Sequence, residues 1–356
     1  MGETSYGTNA QGAAAPHGRT RIAKFDNIKF VLIVLVVIGH AIAGMASVDS
    51  SQHATRALYQ SIYLFHMPLF VFLSGMFAQS VYSSKDGLKT RRMIGYLIVY
   101  VFMLAYYWVI AFACGHGYVF GLFTTTGAPW YMMAMFIWSL LVPFVCRYRF
   151  RTVAAVCIAL SVVAGFTPEF GGFLSLGKTV YFAVFFYAGY YCDREAAVRF
   201  LVRFERPRYK VIAALILIVS FVLCLSFPHA ALVEWEVAQG GIAYSAISVS
   251  GEWNSLSAGM VRILSYGISV VLCVAVAIVV PSKESKMTIL GRRTLQVYAL
   301  HPIFTNLAYF TDLDGIMLSI TPWWPALCIV LSIALAIALA SKVFERPFNR
   351  IMGYRS

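Results

Sequence analysis

The sequence predicts an all-α, polytopic integral membrane protein, a bundle of about ten transmembrane helices with N and C termini cytoplasmic. Three observations predict it: an excess of apolar residues, apolar runs of membrane length, and basic residues gathered in alternate connections. Hydrophobic residues fill 60% of the 356 positions and charged ones only 12%, against roughly 25% charged in soluble domains. A soluble fold of this size has too little interior to hide so much apolar surface. Each helical crossing takes about 20 mostly apolar residues, so the length suits roughly ten spans with short connections.

Residues 1–20 are rich in Gly, Ala, Ser and Thr and nearly devoid of large apolar side chains, so they are expected to form a disordered cytoplasmic tail. Residues 21–350 make up the membrane domain, with spans expected near 25–46, 59–82, 92–113, 128–146, 152–167, 176–192, 210–228, 258–280, 289–310 and 322–344. Ala41-Ile42-Ala43 loosely mimics a cleavage site after the first span, but the apolar run is too long for a secretory signal. Cations cluster in alternate connections: Arg19 to Lys29, Lys85 to Arg92, Arg147 to Arg151, Arg194 to Lys210, Lys283 to Arg293 and Lys342 to Arg355. Only Arg56, Lys178 and Arg262 fall on the other side. The positive-inside rule then puts the basic connections in the cytoplasm. The outer connections are short except 229–257, which carries Glu234, Trp235, Glu236, Glu252 and Trp253. That loop is either a lid or acceptor platform, or an interfacial segment anchored by its tryptophans.

The net charge of +13 does not indicate nucleic acid, because the cations punctuate apolar segments instead of forming one basic face. The seven cysteines are scattered singly, without the spacing of a metal or redox site, so no metal is expected.

Ionisable groups inside the hydrocarbon region are expensive and mark functional positions. In the first span, Asp26-Asn27-Ile28-Lys29 is followed by ten residues and then His40. Eleven helical steps turn about 1100°, which leaves Lys29 and His40 within roughly 20° of one face and about 16.5 Å apart along the axis. One helix thus presents a cation near the inner headgroups and an imidazole past the midplane. The structural alternative is that Lys29 snorkels and His40 packs. The second span reads Phe65-His66-Met67-Pro68 and continues to Leu73-Ser74-Gly75, so His66 is expected level with His40 on an adjacent antiparallel helix. Pro68 frees a backbone carbonyl, and Ser74-Gly75 permits close helix contact or a kink.

On these residues the chain resembles the membrane-bound acyltransferase 3 family, with its fucose 4-O-acetylase-like branch. The resemblance runs from about residue 24 to Phe344-Glu345-Arg346-Pro347-Phe348. It rests on the basic residue, ten-residue gap and histidine of Lys29 and His40, and on the Phe65 to Gly75 block. Lys89-Thr90-Arg91-Arg92 is similar to the family's arginine-x-x-arginine, with lysine in the first place, which weakens bidentate phosphate recognition there. Pro129-Trp130-Tyr131-Met132 and Leu290 to Tyr298, leading to Leu300-His301-Pro302, are further similar blocks.

The resemblance implies acyl transfer, usually of acetyl, from cytoplasmic acyl-CoA (acetyl-CoA) to a hydroxyl of a cell-envelope carbohydrate or glycolipid, such as a trehalose mycolate or an exopolysaccharide unit. It also implies a multi-pass place in a bacterial inner membrane. Lys29, Lys89, Arg91 and Arg92 are the expected donor-binding residues, matching cations to phosphates. His40 is the expected general base, with an acyl-histidine relay as the alternative. His66 orients the acceptor or steadies the oxyanion. Asp26, Ser74, Trp130 and His301 are expected to line the substrate path; for Asp26 the competing role is pairing with Lys29, and for His301 satisfying a neighbouring helix. A transporter or flippase of a lipid-linked sugar is the competing function, since polar residues at mid-depth also suit alternating access.

Overall fold

In the computed structural model, every segment expected to cross the membrane contains helix. The structure describes residues 22–48, 52–83, 87–117, 121–123, 127–226, 236, 238–245 and 255–353. In chain order the helices are α1 (Ala23–Val48), α2 (His53–Tyr63), α3 (His66–Ala78), α4 (Thr90–Ala113), α5 (Trp130–Val145), α6 (Phe150–Ala164), α7 (Glu169–Gly172) and α8 (Leu176–Tyr191). They continue as α9 (Arg194–Val202), α10 (Pro207–Ser226), α11 (Ser255–Val279), α12 (Lys286–Gly291), α13 (Thr294–Phe310), α14 (Leu313–Ile320), α15 (Trp324–Leu339) and α16 (Glu345–Met352). A two-stranded antiparallel hairpin, β1 (Tyr82–Ser83) and β2 (Gly87–Leu88), joins α3 to α4 and is a small departure from an all-α chain. The tail of residues 1–20 and most of the 229–257 loop, with Glu234, Trp235, Glu252 and Trp253, lie outside the described residues.

The expected ten spans need correction. Among the described residues, five helical segments are long and apolar enough to cross a membrane: Ala23–Ala46, His53–Ala78, Thr90–Ala113, Pro207–Ser226 and Ser257–Val279. A sixth is reached if α15 and the Lys342–Met352 segment, bent by 52°, count as one. The remaining apolar helices are too short: α5 and α8 have 16 residues, α6 has 15 and α13 has 17. At 1.5 Å per residue a 16-residue helix rises about 24 Å, less than the hydrocarbon core of about 30 Å. Apolar content in a window does not reveal where turns cut the helix. The protein is nonetheless a largely helical, multi-pass membrane protein.

The second segment is broken between Tyr63 and His66, just ahead of Pro68. Pro68 has no N–H for the carbonyl of Leu64, and the Ser269 hydroxyl of α11 donates to that carbonyl instead, at 2.8 Å. A membrane helix tolerates such a break only when a neighbour supplies the missing donor. Downstream, α3 lies backbone to backbone against α8. A Cβ on Gly75 would collide with the Phe186 carbonyl, and one on Gly189 with the Phe72 carbonyl. Close approach through small residues is the usual way membrane helices gain contact in lipid. Gly75→Val or Gly189→Val should therefore cost about 3 kcal/mol or more, since backbone cannot yield as a side chain does. Thermal unfolding in detergent should show the loss.

The start of α1 holds the connection between α11 and α13. Asn27, fully buried, donates to the carbonyls of Pro281 and Lys283, both at 2.9 Å, and accepts from the Thr288 hydroxyl at 2.7 Å. Lys24 donates to the Val280 carbonyl at 2.5 Å and lies 3.7 Å from Glu205. Glu205 also takes hydrogen bonds from Lys210 and Ser282, which hold its carboxyl below the usual carboxylate range.

The three cations that break the charge alternation are not free loop charges. Arg262 is fully buried, donates to the Ser161 carbonyl at 2.6 Å and lies 4.6 Å over the Tyr244 ring. Arg56 is 3% exposed and donates to the Ala46 carbonyl. Lys178 is half-buried and interacts electrostatically with Glu236. Topology follows cations in the connections, so buried ones carry no weight in that rule.

Candidate active site

A cavity of about 830 Å³ opens at one end of the bundle, where connections distant in sequence converge. Its wall takes Asp26 and Lys29 from α1, Ser74 and Phe77 from α3, Ser80 beyond it, Arg92 from α4, and Tyr131 from α5. Arg194 of α9, the Arg292-Arg293 pair, Tyr298 of α13 and Glu345 of α16 also line it. The volume lies within the range of small-molecule sites. Five cations, Lys29, Arg92, Arg194, Arg292 and Arg293, face two carboxylates, Asp26 and Glu345, among the lining residues. Such an excess of positive charge suits a ligand bearing several phosphates.

The carboxylates orient the cations instead of cancelling them. Asp26 Oδ1 lies 2.7 Å from Lys29 Nζ, and Asp26 Oδ2 lies 3.6 Å from Arg292 Nε. Arg293 Nε donates to Glu345 at 2.8 Å. Gly291 makes this possible, because a Cβ there would fall on the Asp26 carbonyl and push the arginine pair away from α1. Lys29 and Arg194 also share the Phe77 ring, with Lys29 Nζ 4.6 Å and the Arg194 guanidinium 5.0 Å from its centroid. Cation–π contacts of this kind hold charge in place while leaving N–H groups for a ligand. Arg92 donates to Ser80 at 3.1 Å, and Arg194 to the Met76 carbonyl at 2.8 Å.

The inner wall is aromatic. Ser74 Oγ lies 2.5 Å from the Tyr131 hydroxyl, and the Tyr131 and Tyr298 rings are 5.3 Å apart. The Tyr298 hydroxyl donates to the Ala128 carbonyl. Beyond Tyr298 the polar groups continue: its ring lies 6.2 Å from His301, and His301 lies 5.2 Å from His40. His40 is half-buried and within electrostatic reach of His66 and Lys178. His66 opens α3, is 2% exposed, and sits 4.5 Å from the Tyr63 ring. Its Nδ1 is 2.8 Å from the Ile62 carbonyl. A carbonyl only accepts, so Nδ1 carries the proton and Nε2 keeps a lone pair.

The structure therefore sorts the residues singled out in the sequence into two connected groups. Asp26, Lys29, Ser74 and Arg92 line the cavity, whereas His40, His66 and His301 gather behind the Tyr131–Tyr298 wall. Lys89, which caps α4, and Arg91, which donates to the Arg350 carbonyl at 3.3 Å, are exposed and do not line the cavity. Trp130 is buried against Phe182, with rings 5.2 Å apart and nearly parallel, next to the wall but not in it. The reasoning on sequence did not assign Arg194, Arg292, Arg293, Tyr131 or Tyr298 to the site. The available signal for the arginines was their place at helix termini in basic connections, Arg194 starting α9 and Arg292-Arg293 joining α12 to α13. Among the described residues no group of three or more His, Cys, Asp or Glu could hold a metal ion.

The nodulation protein NolL of Sinorhizobium fredii is 32% identical over 78 residues, 22% of this chain and 21% of that protein. The nodulation protein NolL of Mesorhizobium japonicum is 31% identical over 90 residues, 24% of each chain. The chain thus matches about a fifth to a quarter of the length of these curated relatives. No solved structure matches. The acyltransferase domain family Acyl_transf_3 matches residues 22–341, which include the cavity cations from Lys29 to Arg293 and all three clustered histidines. A match over most of the chain shows the family: this multi-pass membrane protein belongs to the acyltransferases of the Acyl_transf_3 family.

Proposed function

We propose that the protein moves an acyl group, most simply acetyl, from cytoplasmic acyl-CoA to a hydroxyl of a cell-envelope carbohydrate or glycolipid. The observation that carries this reading is the cation-lined cavity, joined through Tyr298 and His301 to His40. In this reading the cavity end is cytoplasmic, as are both termini, and the phosphates of the donor lie among Lys29, Arg92, Arg194, Arg292 and Arg293. The arm bearing the thioester follows the α1 face from Lys29 towards His40, about 16.5 Å of helix rise.

The acceptor approaches from the opposite end, where Lys178 is within electrostatic reach of His40 and of Glu236, and Tyr63 packs on His66. His40 takes the hydroxyl proton as the oxygen attacks the thioester carbonyl carbon. The C–S bond breaks, the ester forms, and the proton leaves with the CoA thiol. His66, whose Nδ1–H is committed to Ile62, offers its Nε2 lone pair to a second hydroxyl of the acceptor, since the attacking hydroxyl gives its one proton to His40.

Purified protein in detergent, given acetyl-CoA and an envelope glycolipid extract, should release CoA only when both are present. Mass spectrometry should find the acceptor heavier by one acyl group. A flippase of lipid-linked sugars would be indifferent to the donor, and extract-independent CoA release would likewise overturn the reading.

A further inference from the structure

His301 has one ring nitrogen committed and the other idle. It is fully buried on α13, and its Nδ1 lies 3.0 Å from the Val297 carbonyl. As at His66, that bond places the proton on Nδ1 and leaves a lone pair on Nε2. This Nε2 is buried and has no hydrogen-bond partner in the structure. Buried polar atoms are nearly always paired, and an exception asks for an explanation.

Two rings contact His301. Tyr298, at 6.2 Å, gives its hydroxyl proton to the Ala128 carbonyl. His40, at 5.2 Å and tilted by 47°, is the neighbour with an N–H to offer. The other charged or titratable groups facing His40 are His66 of α3 and Lys178 of α8, the latter interacting with Glu236. His66 also keeps a lone pair on Nε2, but its ring contact is with Tyr63, and the ammonium of the lysine only donates.

We infer that His301 is a positioning residue for His40, accepting a hydrogen bond from one His40 nitrogen at Nε2 so that the other is left bare for the acceptor hydroxyl. When that bare nitrogen takes the hydroxyl proton, the imidazolium keeps its hydrogen bond to His301, and the proton later passes to the CoA thiolate. No proton is transferred to His301. The arrangement does for His40 what a carboxylate does for the histidine of a hydrolase triad, with a neutral acceptor in place of an anion.

This inference rests on His40 being the base, so both positions are varied together. His301→Phe keeps an aromatic ring of similar size and removes Nε2, whereas His301→Gln returns an acceptor near the same place. His301→Phe should lower kcat about 10- to 100-fold, the worth of a hydrogen bond to a charged group. KM for donor and acceptor should stay within about twofold, and the solvent deuterium isotope effect on kcat should rise. His301→Gln should recover most of the rate. Wild-type kcat in His301→Phe, while His40→Ala is inactive, overturns the inference and leaves the base in place. Loss in His301→Phe without recovery in His301→Gln also overturns it, by returning His301 to packing. An active His40→Ala removes the base reading itself.

Discussion

His40→Ala should fold and bind acyl-CoA but lose transfer by about 10² to 10⁴ in kcat, the usual worth of a positioned general base. The expectation follows from where His40 stands: on the Lys29 face of α1, half-buried, in ring contact with His301 and outside the cavity wall. Removing it leaves the five cavity cations untouched, so donor binding measured separately should match wild type. His66→Ala should impair transfer less, because a residue that only orients the acceptor leaves the base in place. Near-normal turnover in His40→Ala would exclude it as the base. Normal turnover in His66→Ala as well would return both histidines to packing.

Lys29→Ala and Arg92→Ala should each raise the apparent Kd for acyl-CoA about 10- to 100-fold with little change in kcat, since each removes a charge-assisted contact to phosphate. The effect should shrink at high salt, because the cavity opens to solvent ions at its outer end. The two variants differ in a useful way. Arg92 has a hydroxyl partner, Ser80, that tolerates its loss, whereas Lys29 holds the buried Asp26 carboxylate at 2.7 Å. Lys29→Ala should therefore also lower thermal stability, as a carboxylate only 3% exposed loses the cation 2.7 Å away. Donor titration by calorimetry and Tm in detergent separate the two effects. Unchanged donor affinity in both variants would place the donor elsewhere.

Much of the site was legible because a single helix is a predictable object. The spacing of Asp26, Lys29 and His40 puts an ion pair and an imidazole at known heights on α1, and the ion pair forms as the spacing requires. Pro68 announced a freed carbonyl, and the break between α2 and α3 is there. What the chain order does not state is which donor repairs the break, since Ser269 lies two hundred residues away. For the same reason Arg194 and the Arg292-Arg293 pair read as ordinary basic connections until packing brings them to one wall. His301 is the sharpest example: the sequence pairs His40 with His66, yet the ring contact is with a histidine of α13.

By itself, then, the sequence determined that the protein is helical and multi-pass in a membrane, where its apolar helices lie, and which polar residues sit inside them. These are properties of composition and of the 3.6-residue period, which act within one segment. The tertiary structure alone decided how many helices are long enough to cross, because turns such as the one after Val145 cost little composition but end a helix at 16 residues. It alone decided neighbours as well. The rotation of each helix about its axis is set by contacts like Gly75 on Phe186, Gly189 on Phe72 and Gly291 on Asp26. Close packing of backbones, whose partners no local pattern names, turns cations from separate connections into one cavity and brings His301 to His40.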